Sequence, residues 1–255
     1  HVRFAAMASG FLRETVRAWP ALDSKEAKDA LFDALLPLAD GVRPVPRSGF
    51  GPCMIYVVGG QGEGNVKLST AELYDPQAAS WTQRAGMAGP RCAHGCVALD
   101  GKLYAVGGYA ADGRALETAE VYDPQTDGWQ PLAKMSTGRA SFGLAAVGGK
   151  IYAIGGWTDS SALDSVEAYD PQLGAWALVA SMSVGRELHA SVVLDGKIYT
   201  MGGTPNGVNV LDTVEVYDPQ ADSWQRVASM PRRLQWHAAA AMGGKIYVTG
   251  GYSQG

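Results

Sequence analysis

The chain holds four histidines, three cysteines and recurring arginines, glutamates and tyrosines, the side chains from which hydrolytic, redox or metal chemistry is assembled. His94, His189 and His237 each stand seven residues after a methionine (Met87, Met182, Met230), but Phe142 holds that place after Met135. Phenylalanine can neither ligate a metal nor carry a proton, so the position packs, and the imidazoles there are structural with a local hydrogen bond. No Ser-His-Asp or Cys-His signature can be assembled, and no glycine loop is followed by the Lys-Ser/Thr of a phosphate cradle. Cys53, Cys92 and Cys96 do not recur along the chain, and Cys92-x-x-x-Cys96 is the wrong spacing for a paired zinc knuckle. The expectation is a chain without catalytic residues, metal or cofactor, with thiols suited to a reducing, cytoplasmic setting. Glu72, Glu120, Glu167 and Glu215 return at a fixed place, as do Arg91, Arg139 and Arg186 four residues after a methionine. Buried carboxylates need partners, so these are read as Arg–Glu pairs, or as Glu accepting backbone amides, within one structural unit.

What positions them is a repeat. Short apolar runs end in Gly59-Gly60, Gly107-Gly108, Gly155-Gly156, Gly202-Gly203 and Gly250-Gly251, spaced 48, 48, 47 and 48 residues apart. Each reads as a buried strand entering a tight turn. After a variable polar loop comes a second strand, Thr70 to Gln77 in its first copy, bearing Glu and then Tyr on one face (Tyr74, Tyr122, Tyr169, Tyr217). Asp-Pro follows as a turn in which the carboxylate accepts local amides and proline fixes φ. A third strand carries Trp81, Trp129, Trp176 and Trp224, each seven residues past its Tyr. A fourth leads from the methionine to the next Gly pair. A period near 50 with four antiparallel strands per unit predicts an all-β propeller of four-stranded blades. Large aromatics fill the gaps between splayed sheets, and glycine and alanine suit the crowded centre.

Residues 1–40 lie outside the repeat. Asp23-Ser24-Lys25-Glu26 has capping-box spacing, and Ala27, Leu31, Ala34, Leu35 and Leu38 mark one apolar face of a short α-helix. Residues 41–52, rich in proline and glycine, read as an extended linker to a propeller over 53–255.

The Gly pair, the Glu-x-Tyr-Asp-Pro strand and the Trp seven residues beyond that Tyr resemble the kelch repeat. Val2 to Leu12, with the helix ending at Leu35-Leu36-Pro37, resembles the end of a BACK domain. The whole is thus similar to the BTB-BACK-kelch adaptor family, as a stretch without the BTB domain. That resemblance implies a six-bladed ring whose first blade takes its innermost strand from the far C-terminus. Four to five blades are present here, the first and last incomplete, so the ring is expected to be open or closed in a compressed five-bladed form. Open edges would be an aggregation liability. The implied role is substrate recognition for a cullin-RING ubiquitin ligase, with cullin bound only through the absent BTB domain. A cytoskeletal, actin-associated or general scaffold protein is the alternative, and a kelch-fold enzyme a remote one.

Composition limits the partners. Net charge is -4 with both signs mixed, so neither a nucleic-acid footprint nor a polybasic membrane patch is present. Binding is expected where residues vary over a repeated backbone. By the resemblance, Gln61, Tyr109, Trp157, Thr204 and Tyr252 after the Gly pairs line one rim. So do the positions after the arginines: Cys92-Ala93, Ala140-Ser141, Glu187-Leu188 and, by register, Gln235-Trp236. Aromatic anchors there suit a peptide of neutral or mixed charge.

Overall fold

The computed structural model describes residues 54–253, so the expected helices of residues 1–40 and the linker of 41–52 lie outside the described part. Every element in that part but one short 3-10 turn is a strand. The first sheet runs in the order β1 (Ile55–Gln61), β2 (Lys67–Asp75), β3 (Ser80–Arg84). The second is β4 (Gly95–Leu99), β5 (Lys102–Val106), β6 (Ala119–Asp123), β7 (Gly128–Pro131). The third is β8 (Gly143–Val147), β9 (Lys150–Ile154), β10 (Val166–Asp170), β11 (Ala175–Val179). The fourth is β12 (Ala190–Leu194), β13 (Lys197–Met201), β14 (Val214–Asp218), β15 (Ser223–Val227). A two-stranded fifth joins β16 (Ala238–Met242) to β17 (Lys245–Thr249). This is the expected all-β propeller pattern: three complete antiparallel blades between partial sheets of three and two strands.

The chain divides into two compact units. In the one comprising His1–Val57 and Glu72–Gln83, the described part centres on the Asp75-Pro76 turn. Asp75 Oδ1 accepts the Gln77 and Ala78 amides at 2.8 and 3.2 Å, and the Tyr74 and Trp81 rings stand 5.0 Å apart. Trp81 remains 55% exposed.

The unit comprising Val58–Ala71 and Arg84–Gly255 contains the complete blades. Its innermost strands β4, β8, β12 and β16 pack side by side. The approach is close: a Cβ on Gly143 would lie 2.1 Å from Ser191 Oγ of the next blade. In each complete blade the Tyr and Trp face each other across neighbouring strands, Tyr122↔Trp129, Tyr169↔Trp176 and Tyr217↔Trp224. Their ring centroids lie 5.1–5.2 Å apart, a tilted geometry worth about 0.5–1.5 kcal/mol per pair beyond burial. Each indole also reaches the blade before it: Nε1–H of Trp129, Trp176 and Trp224 donates to Ala85, Ala133 and Ala180 C=O at 2.7–2.9 Å. Asp127 and Asp222 reinforce the seam, accepting from their own Tyr hydroxyl and from the Ala85 or Ala180 amide. Both carboxyls are held below the usual range by these hydrogen bonds.

His189 and His237 are both buried, but their hydrogen bonding departs from the local bond expected of each. His189 is buried, and its Nε2 accepts the Gly143 amide at 3.1 Å. Burial, then the charges of Arg186 and His237, push it well below the ordinary imidazole range. His237 closes no hydrogen bond of normal geometry, and burial lowers its pKa to about 4 against a weak pull from the Met201 backbone.

Candidate functional site

The Gly pairs, the arginines and the variable residues beside them converge at one end of the strands, in two layers. The lower layer is a clamp. Arg139 sends Nη2 to Glu167 Oε1 at 2.8 Å and Nη1 to the carbonyls of Gly155 and Ser165 at 2.9 and 3.0 Å. Arg91 and Arg186 do the same with Glu120 and Glu215, each at 2.6 Å, and with Gly107 and Gly202 C=O. The second carboxylate oxygen accepts an amide just past the methionine: Ala88, Ser136 or Ser183. So both expected arrangements, the ion pair and the amide contacts, occur together. The arginine sits on the segment crossing from the previous blade, not on a strand, and it ties that segment to the third strand. Burial pulls the Arg139 and Arg186 pKa values down, opposed by their glutamates.

The Gly pair is what lets this seam close. Gly107 and Gly108 have φ of +60° and +92°, and the Gly108 amide donates to Arg139 C=O of the next blade at 2.8 Å. A Cβ on Gly107 would lie 2.5 Å from that same carbonyl. Left-handed backbone and contact at that range leave room only for glycine.

The upper layer is a rim. Tyr109 exchanges backbone hydrogen bonds with Cys92, Trp157 with Ala140, Thr204 with Glu187 and Tyr252 with Gln235. The two sets of variable positions picked out in the sequence are therefore direct backbone partners. One residue further, Ala93, Ser141, Leu188 and Trp236 all have left-handed backbone, with φ of 50–57°. They form a ladder from blade to blade: Ser141 N–H donates to Ala93 C=O, Leu188 to Ser141 and Trp236 to Leu188, each at 2.9 Å. Positive φ outside glycine is an uncommon state that the surroundings must hold, most of all at Leu188 and Trp236, and such states concentrate at functional sites. Nothing in these residue types signals it, since left-handed positions usually take Gly or Asn.

Side chains on this frame differ. Tyr109 and Trp157 are half-buried, while Trp236 and Tyr252 are 59% and 52% exposed with rings 6.4 Å apart. Thr204 is fully buried and its hydroxyl accepts the Asn206 amide at 3.3 Å, so it serves the loop. Gln61, exposed at the end of β1, donates to Asn65 Oδ1. Lys67 lies over the Tyr109 ring, 5.9 Å from its centroid, and its Nζ donates to Ala110 C=O. Burial raises the Tyr109 pKa, with the charges of Glu187 and Asp159 adding to it. Glu187 is half-buried, and that burial raises its carboxyl as well.

The family profile described as "KLHDC2/KLHL20/DRC7 Kelch-repeats domain" matches residues 53–251. No curated protein matches the chain. Among solved structures, one described as "Structure of YjhT" aligns over 80% of this chain and 71% of its own, with a TM-score of 0.69. At 20% identity that likeness is one of fold.

Proposed function

The chain belongs to the kelch-repeat propeller family, and from that premise we propose that it binds a segment of another protein across the rim, as the substrate-recognition part of a cullin-RING ubiquitin ligase adaptor. Kelch-repeat domains are typically non-catalytic scaffolds. Among the described residues no group of three or more His, Cys, Asp or Glu is placed to hold a metal ion. One observation carries the reading: the blade-to-blade ladder through Ala93, Ser141, Leu188 and Trp236 repeats one backbone while its side chains change at every step. A fixed frame with free side chains is what recognition of one sequence among many requires. Tyr109, Trp157, Trp236 and Tyr252 add aromatic surface of the kind that dominates binding energy.

The ligase role rests on the resemblance of residues 1–40 to a BACK domain. Cullin would then be held by a BTB domain, not by this rim, and the protein would work in the cytoplasm. Quantitative affinity capture with the full-length protein tests both parts. Proteins recovered by the native form and lost with Tyr109→Ala/Trp157→Ala, yet kept with Leu173→Ala on the outer turn, are the expected rim partners. Co-recovery of a cullin, unchanged by the double substitution, supports the adaptor role. Equal recovery of every protein by all forms overturns the rim assignment. Recovery of actin filaments without cullin favours the cytoskeletal alternative.

A further inference from the structure

Glu187 is the only formally charged residue at the rim positions, and it has no partner of its own. Its backbone pairs with Thr204, but its carboxylate makes no hydrogen bond or ion pair among the described residues. The adjacent Arg186 cannot neutralise it. That guanidinium is fully buried and committed to Glu215, Gly202 and Thr213. One blade on, the equivalent position is Gln235, 5% exposed, whose Oε1 is buried without a hydrogen-bond partner. The two positions are close, because Trp236 N–H donates to Leu188 C=O at 2.9 Å, joining the residues immediately after them. Beside this pair stand the exposed rings of Trp236 and Tyr252.

An unmatched carboxylate next to exposed aromatic faces suits a donor-rich cation. We propose that the bound protein segment presents an arginine side chain to Glu187, flanked by Trp236. A guanidinium offers five donors in a planar fork and stacks on aromatic faces, so it can serve the carboxylate and the indole at once. Lys67 is engaged elsewhere, at the Ala110 carbonyl and over the Tyr109 ring. The half-buried carboxylate strengthens the match, since a charge-assisted bond is strongest where water is partly excluded. This inference rests on the rim being the binding surface, and it replaces the expected neutral or mixed motif with one that carries a fixed positive charge.

A phage-displayed random peptide library selected on the full-length protein provides the probe. Peptides whose binding is lost with Tyr109→Ala/Trp157→Ala are synthesised with their arginine intact or replaced by citrulline, and measured by fluorescence polarisation. The expected result is a shared arginine. Its replacement weakens binding to the native protein about tenfold, and to Glu187→Gln by less than about twofold. Peptides sensitive to the double substitution but lacking a basic residue would overturn the arginine assignment and leave the binding rim standing. So would an arginine whose replacement costs the same in both proteins. A library yielding no peptide sensitive to the double substitution overturns the rim reading and this inference together.

Discussion

Arg186 and Glu187 are neighbours in the chain and opposites in the fold. The first is fully buried, with its charge matched by Glu215 at 2.6 Å; the second stands half-exposed with its charge unmatched. The same step in residue type separates Arg139 from Ala140 and Arg91 from Cys92, though both of those followers are buried. Below the step, residue types repeat because each fills a defined electrostatic and steric slot. Above it, only the backbone repeats. A clamp layer that cannot vary thus carries a rim layer that can, and removing a side chain should have very different consequences on either side.

The sharpest way to break that contrast is Arg139→Ala. It strands the Glu167 carboxylate in a buried site and frees the Gly155 and Ser165 carbonyls, at a cost of about 3–5 kcal/mol read as a lower denaturant midpoint. A loss under about 1 kcal/mol would mean the clamp is dispensable. Acid acts at another seam, through His237 beside Gly202. Its pKa falls from 6.5 to about 4 on folding, so between those values the unfolded chain binds the extra proton. That contribution is fully present above about pH 6.5 and is lost as pH falls toward 4, on the order of 3 kcal/mol in all. His237→Phe, which copies Phe142, should flatten that part of the stability profile; an unchanged acid limb would place the loss elsewhere.

A smaller effect separates the indoles. Trp129→Phe removes the bond to Ala85 C=O and should cost about 1 kcal/mol beyond lost packing. Trp81→Phe, at an exposed site, should cost visibly less by the same denaturant measurement. Smallest of all, Glu187→Gln should move stability by no more than about 0.5 kcal/mol, while changing what the rim binds. A large loss of stability there would erase the distinction between the layers.

The frame was legible because its residues have a single physical job. Tyr and Trp at a seven-residue interval, Asp-Pro turns and paired glycines each admit few substitutes, so their spacing reveals the blades. Arg91, Arg139 and Arg186 could be matched to glutamates by the need to neutralise buried charge. Their placement on the crossing segments could not be foreseen, nor their grip on the Gly-pair carbonyls, since acceptors on the backbone leave no trace in residue type. The rim positions come from the family resemblance, with Gln235 and Trp236 placed by register. Their left-handed ladder was invisible because Ala93, Ser141, Leu188 and Trp236 share no chemistry. The burial of Thr204 was hidden for a related reason: a loop hydroxyl that caps Asn206 looks the same in sequence as one offered to a partner.

The indole bonds between blades all point the same way along the chain. Trp129, Trp176 and Trp224 each fasten to a carbonyl 43 or 44 residues earlier. On a ribosome, the latch for one blade is delivered only when the outermost strand of its successor has emerged. Assembly in the order of synthesis therefore works like lapped roof tiles, each course pinned by the one laid after it, and the last course made is always the one still loose.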